Sequence, residues 1–196
     1  MGRLSLLAPM LLFGLGGVYL LVEFLQPGKG GPVHDNLLPE LIGFCLEGFF
    51  LIGLFSLVQN RRERERKAEL RLSLRGALRE IISHIDISLL GETAEPSDSK
   101  SLEEDPKVVA DLILKLAGSN IALDDMARLK AVAAHNLTTI HDLIPVAAQL
   151  SAKHIRWWLA ITDSVRHLAE ATDAATVAGN LHRFLANLGE FDELPL

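Results

Sequence analysis

The sequence predicts an all-α protein: a two-helix transmembrane hairpin whose second helix extends into a small cytosolic helical bundle. Three observations predict this. Two long apolar runs lie early in the chain, a cluster of arginines follows the second, and the remainder is rich in leucine and alanine without alternation at period two. The 196 residues are 49% hydrophobic and 22% charged, with a mean hydropathy of +0.26. Such a composition excludes a disordered or collagen-like chain. One cysteine excludes a disulfide scaffold and a multi-cysteine metal site, and a net charge of -6 argues against a general nucleic-acid binder.

The first run, Leu4 to Val22, carries no charge, and the second, Leu41 to Val58, carries only Glu47. A helix of about 20 apolar residues crosses roughly 30 Å of hydrocarbon, whereas a buried helix of a soluble protein seldom holds so long an unbroken run. The first run is expected as a retained span rather than a cleaved signal: only Arg3 precedes it, and no Ala-x-Ala follows. Spans of about 4–25 and 37–58 then flank an outer loop, 26–36, whose Pro27, Gly28, Gly30, Gly31 and Pro32 read as a turn. Asn36 is expected to cap the second helix, with Pro39 and Glu40 in its first turn.

Orientation follows from charge. Eight basic residues lie between Arg61 and Arg79, whereas the outer loop offers only Lys29. Basic residues resist translocation, which places both termini in the cytoplasm. Arg61, Arg62, Arg64, Arg66 and Lys67 are expected to meet lipid headgroups. No strong breaker interrupts 41–90, so one long helix is expected, with 61–90 as its basic juxtamembrane part. Leu70, Leu74, Leu78, Ile81 and Ile85 form an apolar stripe on it that needs covering, by the distal helices or by another copy.

Residues 91–107 read as an acidic flexible linker, followed by a cytosolic helical bundle over 108–196. In it, Val108–Ala117 ends at Gly118, Asn120 caps Ile121 to about Leu143, and Val146 runs to about Ala171. Thr172 or Asp173 then caps a last helix ending at Gly189. About four helices result, counting the juxtamembrane rod. Trp157 and Trp158 are adjacent and cannot share a helix face, so one is expected in the core and the other at a contact surface.

Few residues suggest chemistry. Glu47 lies about 9 Å into its span, and an acid there is paired, protonated or turned to water. The spans hold no arginine or lysine to pair with it, which favours association between copies. Gly43, Gly48 and Gly53 do not follow the four-residue spacing of a tight helix dimer. No zinc-hydrolase or phosphate-loop motif is present, so neither a metal nor another cofactor is implied.

Arg79…His84 and Arg128…His135 have an Arg-x(4–6)-His spacing that resembles the motif of HEPN-type ribonucleases. That resemblance implies arginines holding phosphate and histidines moving protons, although Glu80 and Leu129 stand where the family has a polar, amide-type residue. The stretch from Leu37 to Lys67 resembles the second span of small uncharacterised bacterial two-pass inner-membrane proteins. The overall plan is similar to membrane effectors of anti-phage defence, of the Cas13b-associated pore type. The expected function is therefore a non-enzymatic homo-oligomer whose bundle assembles copies or receives a signal and whose spans form a pore. A membrane-tethered ribonuclease and a passive scaffold for a cytosolic protein partner are the alternatives. The acidic bundle, with sixteen acids against nine bases from Gly91 onward, disfavours nucleic acid as a partner.

Overall fold

The computed structural model describes residues 3–26, 31, 33–90, 95–118 and 121–196, and among them every regular element is helical. The described residues form nine α-helices: α1 (Arg3–Phe24), α2 (Leu38–Gly76), α3 (Arg79–Ser88), α4 (Ser99–Glu104), α5 (Pro106–Gly118), α6 (Leu123–Asp142), α7 (Ile144–Leu150), α8 (Ala152–Glu170) and α9 (Ala174–Asp192). The chain divides into two compact units, Met1–Glu65 and Arg66–Leu196.

In the first unit, α1 and the start of α2 pack through glycines. The Phe13 ring lies on Gly48 so closely that a Cβ there would come within 2.6 Å of it. Gly14 faces Phe49, Gly17 faces the Cβ of Cys45, and Phe13 meets Phe44 edge-on at 5.6 Å. Glycines thus let these helices approach closely despite lacking the four-residue spacing.

One helical stretch, Asp35–Gly76, is long and apolar enough to cross a membrane, and none of its most apolar window is buried. The other expected span lies in α1, whose described side chains form a shorter apolar stretch, Ala8–Phe24. A π-helical turn, Val33–Leu37, precedes α2 and includes Asn36, so the expected Asn36 cap gives way to that turn. Pro39 and Glu40 do lie in the first turn of α2. The expected turn from Pro27 to Gly30, together with Pro32, lies outside the described residues.

The second unit starts within α2. The long helix expected to reach residue 90 instead ends at Gly76, and Ala77–Leu78 form a turn before α3. The apolar stripe continues through that turn. Leu74, Leu78, Ile81 and Ile85 are buried and Leu70 is half-buried against the same core, so this chain's own distal helices cover the stripe. α8 is central, packing on α6, α7 and α9, while α5 packs on α9 and α3 on α6. Trp158, Phe184 and Phe191 are the largest fully buried side chains, and the Trp158 Nε1–H donates to the Ile140 carbonyl at 2.9 Å. Each such large aromatic contributes roughly 3 kcal/mol or more when measured by truncation.

Several element boundaries differ from expectation for local reasons. The stretch expected as a linker over 91–107 contains α4: the Asp98 side chain accepts from the backbone of Lys100 and Ser101, and Leu102 is buried. Residues 91–94 and Asn120, the expected cap of α6, lie outside the described residues. The helix expected over 146–171 is two helices, divided at Ser151, whose hydroxyl accepts from the His154 N–H and caps α8. Asp173 caps α9 by accepting from the Thr176 N–H. That helix passes Gly189 and ends at Asp192.

Candidate functional site

Two surfaces of different chemistry stand out, one in each unit. On α2 an apolar surface runs from Leu41 to Val58, with Phe44, Leu46, Phe50, Leu51, Leu54, Phe55 and Leu57 all exposed. Helical periodicity sends these side chains around most of the circumference, and α1 covers only the side carrying Cys45, Gly48 and Phe49. Water does not tolerate so large a contiguous apolar surface; hydrocarbon or a protein partner does. Glu47 is exposed within it.

The basic residues expected at headgroups begin at the end of this surface. Arg61 and Arg62 are exposed, as are Arg64 and Arg66, while Lys67 is half-buried. Arg61 pairs with Glu65 at 2.8 Å, which raises its pKa through the hydrogen bond and the adjacent charge. In the second unit, Arg66 donates to the Gln149 side chain at 3.2 Å. Arg61 and Arg66 are thus each tied to a neighbouring polar side chain.

Farther along α2 the arginines turn into the bundle. Arg75 is 3% exposed, forms an ion pair with Asp192, and donates to the carbonyls of Leu102 and Asp105. Burial lowers its pKa to about 10, with a further push from Arg71 and opposition from Asp105; it remains a cation at neutral pH. Arg71 donates to the carbonyls of Leu194 and Phe191, and its guanidinium lies 5.9 Å from the centre of the Phe191 ring. It closes the end of α9, where backbone carbonyls otherwise have no helical partner.

His154 completes this cluster. It is 1% exposed, with Nδ1 2.8 Å from the Ser151 hydroxyl, its ring edge-on to Phe191 at 5.4 Å, and Nε2 without a hydrogen-bond partner. Burial lowers its pKa, and the charges of Arg71 and Lys67 lower it further. The pattern resembles a Ser–His pair only superficially, because the serine caps a helix inside the core. A groove of about 490 Å³ beside the cluster is lined by Arg71, Arg75, Glu103, Glu104 and Asp192. Arg75 is already paired with Asp192, and Glu103 and Glu104 with Arg79 and Lys100, so four of the groove's six charged side chains, which include Glu69 and Arg71, have a charged partner. The sequence offered no local signal for this cluster, since Arg75 and Asp192 belong to the two ends of the unit.

The Arg–His pairs singled out by spacing occupy α3 and α6. Arg79 pairs with Glu103 at 2.7 Å, and His84 is half-buried five residues on, about 140° around the same helix. Arg128 faces Asp125 at 3.9 Å, and His135 is exposed about two turns away. Among the described residues neither pair is joined by a hydrogen bond, and the arginines face carboxylates where a phosphate would have to enter. The contact between α3 and α6 is instead made by Asn136 donating to Glu80 at 2.8 Å. No group of three or more His, Cys, Asp or Glu among the described residues is placed to hold a metal ion. Of the two tryptophans, Trp158 is the core residue; Trp157 is half-buried and carries the Arg156 guanidinium over its ring at 5.6 Å. Comparison with protein families, curated proteins and solved structures gives no match.

Proposed function

We propose that this is a non-enzymatic integral membrane protein that anchors a helical bundle to the cytoplasmic face of an inner membrane. In this reading α1 and the apolar part of α2 cross the bilayer as a hairpin, and both termini stay in the cytoplasm. The observation that supports it is the apolar surface of α2, whose most hydropathic window holds no buried residue although α1 packs on one side of it, and which ends at the Arg61–Lys67 segment. The bundle, built around α8 without a catalytic constellation among its described residues, then displays its surface for assembly or for a cytosolic partner.

A pore requires polar side chains along a continuous path, and Glu47 is the one Asp, Glu, Lys or Arg between Leu41 and Val58. A tethered ribonuclease requires the Arg–His pairs to converge on one phosphate. Neither reading has a supporting geometry.

Alkaline carbonate washing of membranes from cells producing the full chain tests the proposal. The protein is expected to stay in the pellet. In a Cys45→Ala background, Lys29→Cys is expected to react with an impermeant maleimide from outside, and Glu190→Cys only after the membrane is opened. Release into the wash would overturn the anchor; reversed labelling would overturn the orientation.

A further inference from the structure

The membrane-exposed side of α2 is not uniform. Taking the Cys45 direction as the side covered by α1, Gly43, Glu47, Phe50, Leu54 and Leu57 lie between about 120° and 200° from it at 100° per residue. They form one line on the opposite side. Their spacings are 4, 3, 4 and 3, the heptad seam by which two helices pack along their length. Phe50, Leu54 and Leu57 are 67%, 62% and 69% exposed, and nothing lies within 4 Å of where a Gly43 Cβ would be.

Every face of a helix has this spacing, so it shows only that two helices can pack along the line; what lipid does not suit is the line's one polar member. A carboxyl in hydrocarbon needs a hydrogen-bonding partner, and from Leu4 to Asn60 the only lysine or arginine is Lys29 in the expected outer loop. A carboxyl group is donor and acceptor together, so another carboxyl at the same depth complements it. Two copies inserted in the same direction bring Glu47 opposite Glu47. Gly43, one turn away on the same line, lets the backbones approach closely enough for that contact.

We propose that this face docks a second copy of the chain, α2 against α2, with the two Glu47 carboxyls hydrogen-bonded to each other. This rests on the membrane reading above, and it names the partner and the residue that selects it. Glu47 acts as a polar residue at an a-type position, setting the register of an otherwise apolar contact.

The test uses the full chain in vesicles of phosphatidylcholine and phosphatidylglycerol, with dimerisation followed by energy transfer as the lipid-to-protein ratio rises. Wild type dimerises, Glu47→Gln retains dimerisation within about twofold because the amide is also donor and acceptor, and Glu47→Leu raises the apparent dissociation constant about tenfold. In a Cys45→Ala background, cysteines at Phe50 and Leu54 cross-link between copies on oxidation, whereas one at Ile52 does not. A wild type that stays monomeric, Glu47→Leu dimerising like wild type, or cross-linking at Ile52 equal to that at Leu54 overturns the seam. A Gln variant as weak as Leu also overturns it, pointing to a cationic partner. All variants are checked by carbonate washing: retention in the pellet confines a failure to the seam, while release is a failure of the anchor itself.

Discussion

The two units treat a charge in apolar surroundings in opposite ways. Inside 66–196, Arg75 has the Asp192 carboxylate and two backbone carbonyls, and Arg71 has two more carbonyls, all from the same chain. Inside 1–65, Glu47 lies in a segment of comparable apolarity, and among the described residues of its unit no ion pair reaches it. Leucines divide similarly: Leu74 and Leu78 are fully buried, whereas Leu54 and Leu57 stand exposed. A bundle in water must satisfy its polar groups internally because the core is closed. A helix pair in lipid leaves its outer faces for the solvent or for another protein.

The largest effect that could break this comparison is expected at Asp192. Asp192→Asn leaves Arg75 buried with its carbonyl acceptors but without its counter-charge. It should destabilise the bundle by about 3–5 kcal/mol, measured by denaturant unfolding of the full chain in mild detergent. A loss near zero would mean that the bundle, too, tolerates an uncompensated charge.

A smaller effect is expected from the glycines of the helix pair. Gly17→Cys places a sulfur beside Cys45, where the Cβ positions lie 3.2 Å apart, and oxidation should join α1 to α2 within one chain. Adding Gly48→Leu drives a side chain into the Phe13 ring, an overpacking cost of about 1–3 kcal/mol, and should slow this disulfide several-fold. Unchanged formation would show that the pair does not depend on close glycine packing.

The mildest is a dependence on pH. The fold holds His154 below its ordinary 6.5 through burial first, then through Arg71 and Lys67. The unfolded chain therefore takes the proton more readily. The stability tied to the neutral ring is complete above 6.5 and is lost as pH falls below 6.5 towards the folded value. His154→Gln should flatten that part of the stability–pH curve; an equal slope in the variant would assign the acid sensitivity elsewhere.

Much of the helical content was readable because period and capping are local. The stripe from Leu70 to Ile85, the Asp173 cap and the approach to Gly118 depend on residues within a turn or two of each other. Ser151 was missed since serine is unremarkable inside a helix, and no Glu or Gln follows it three residues on to signal a capping box. α4 was missed for a related reason: its acids and serines resemble a linker, and one buried leucine is too small a signal. α2 ends at Gly76, a lone glycine that by itself does not distinguish a helix end from a helix interior. Of the site, Glu47 and the basic segment were legible from composition alone. The Arg75–Asp192 pair was not, because no periodicity links residues so distant, and charge counting had placed Arg75 with its solvated neighbours.

That distance gives Arg71 and Arg75 a history as well as a place. The carbonyls that Arg71 holds belong to residues 120 and 123 positions later. At roughly 5–20 residues per second, a ribosome needs about 6–24 s to supply them. Throughout that interval these guanidiniums are hydrated cations following an apolar helix, and under the proposed topology they would add to the positive charge that opposes translocation. Once residues 191–194 emerge, the same side chains leave the solvent and lock the bundle shut. In the proposed topology two arginines would thus act first on which side the chain stays and afterwards as internal fasteners, with no change in chemistry between the two jobs.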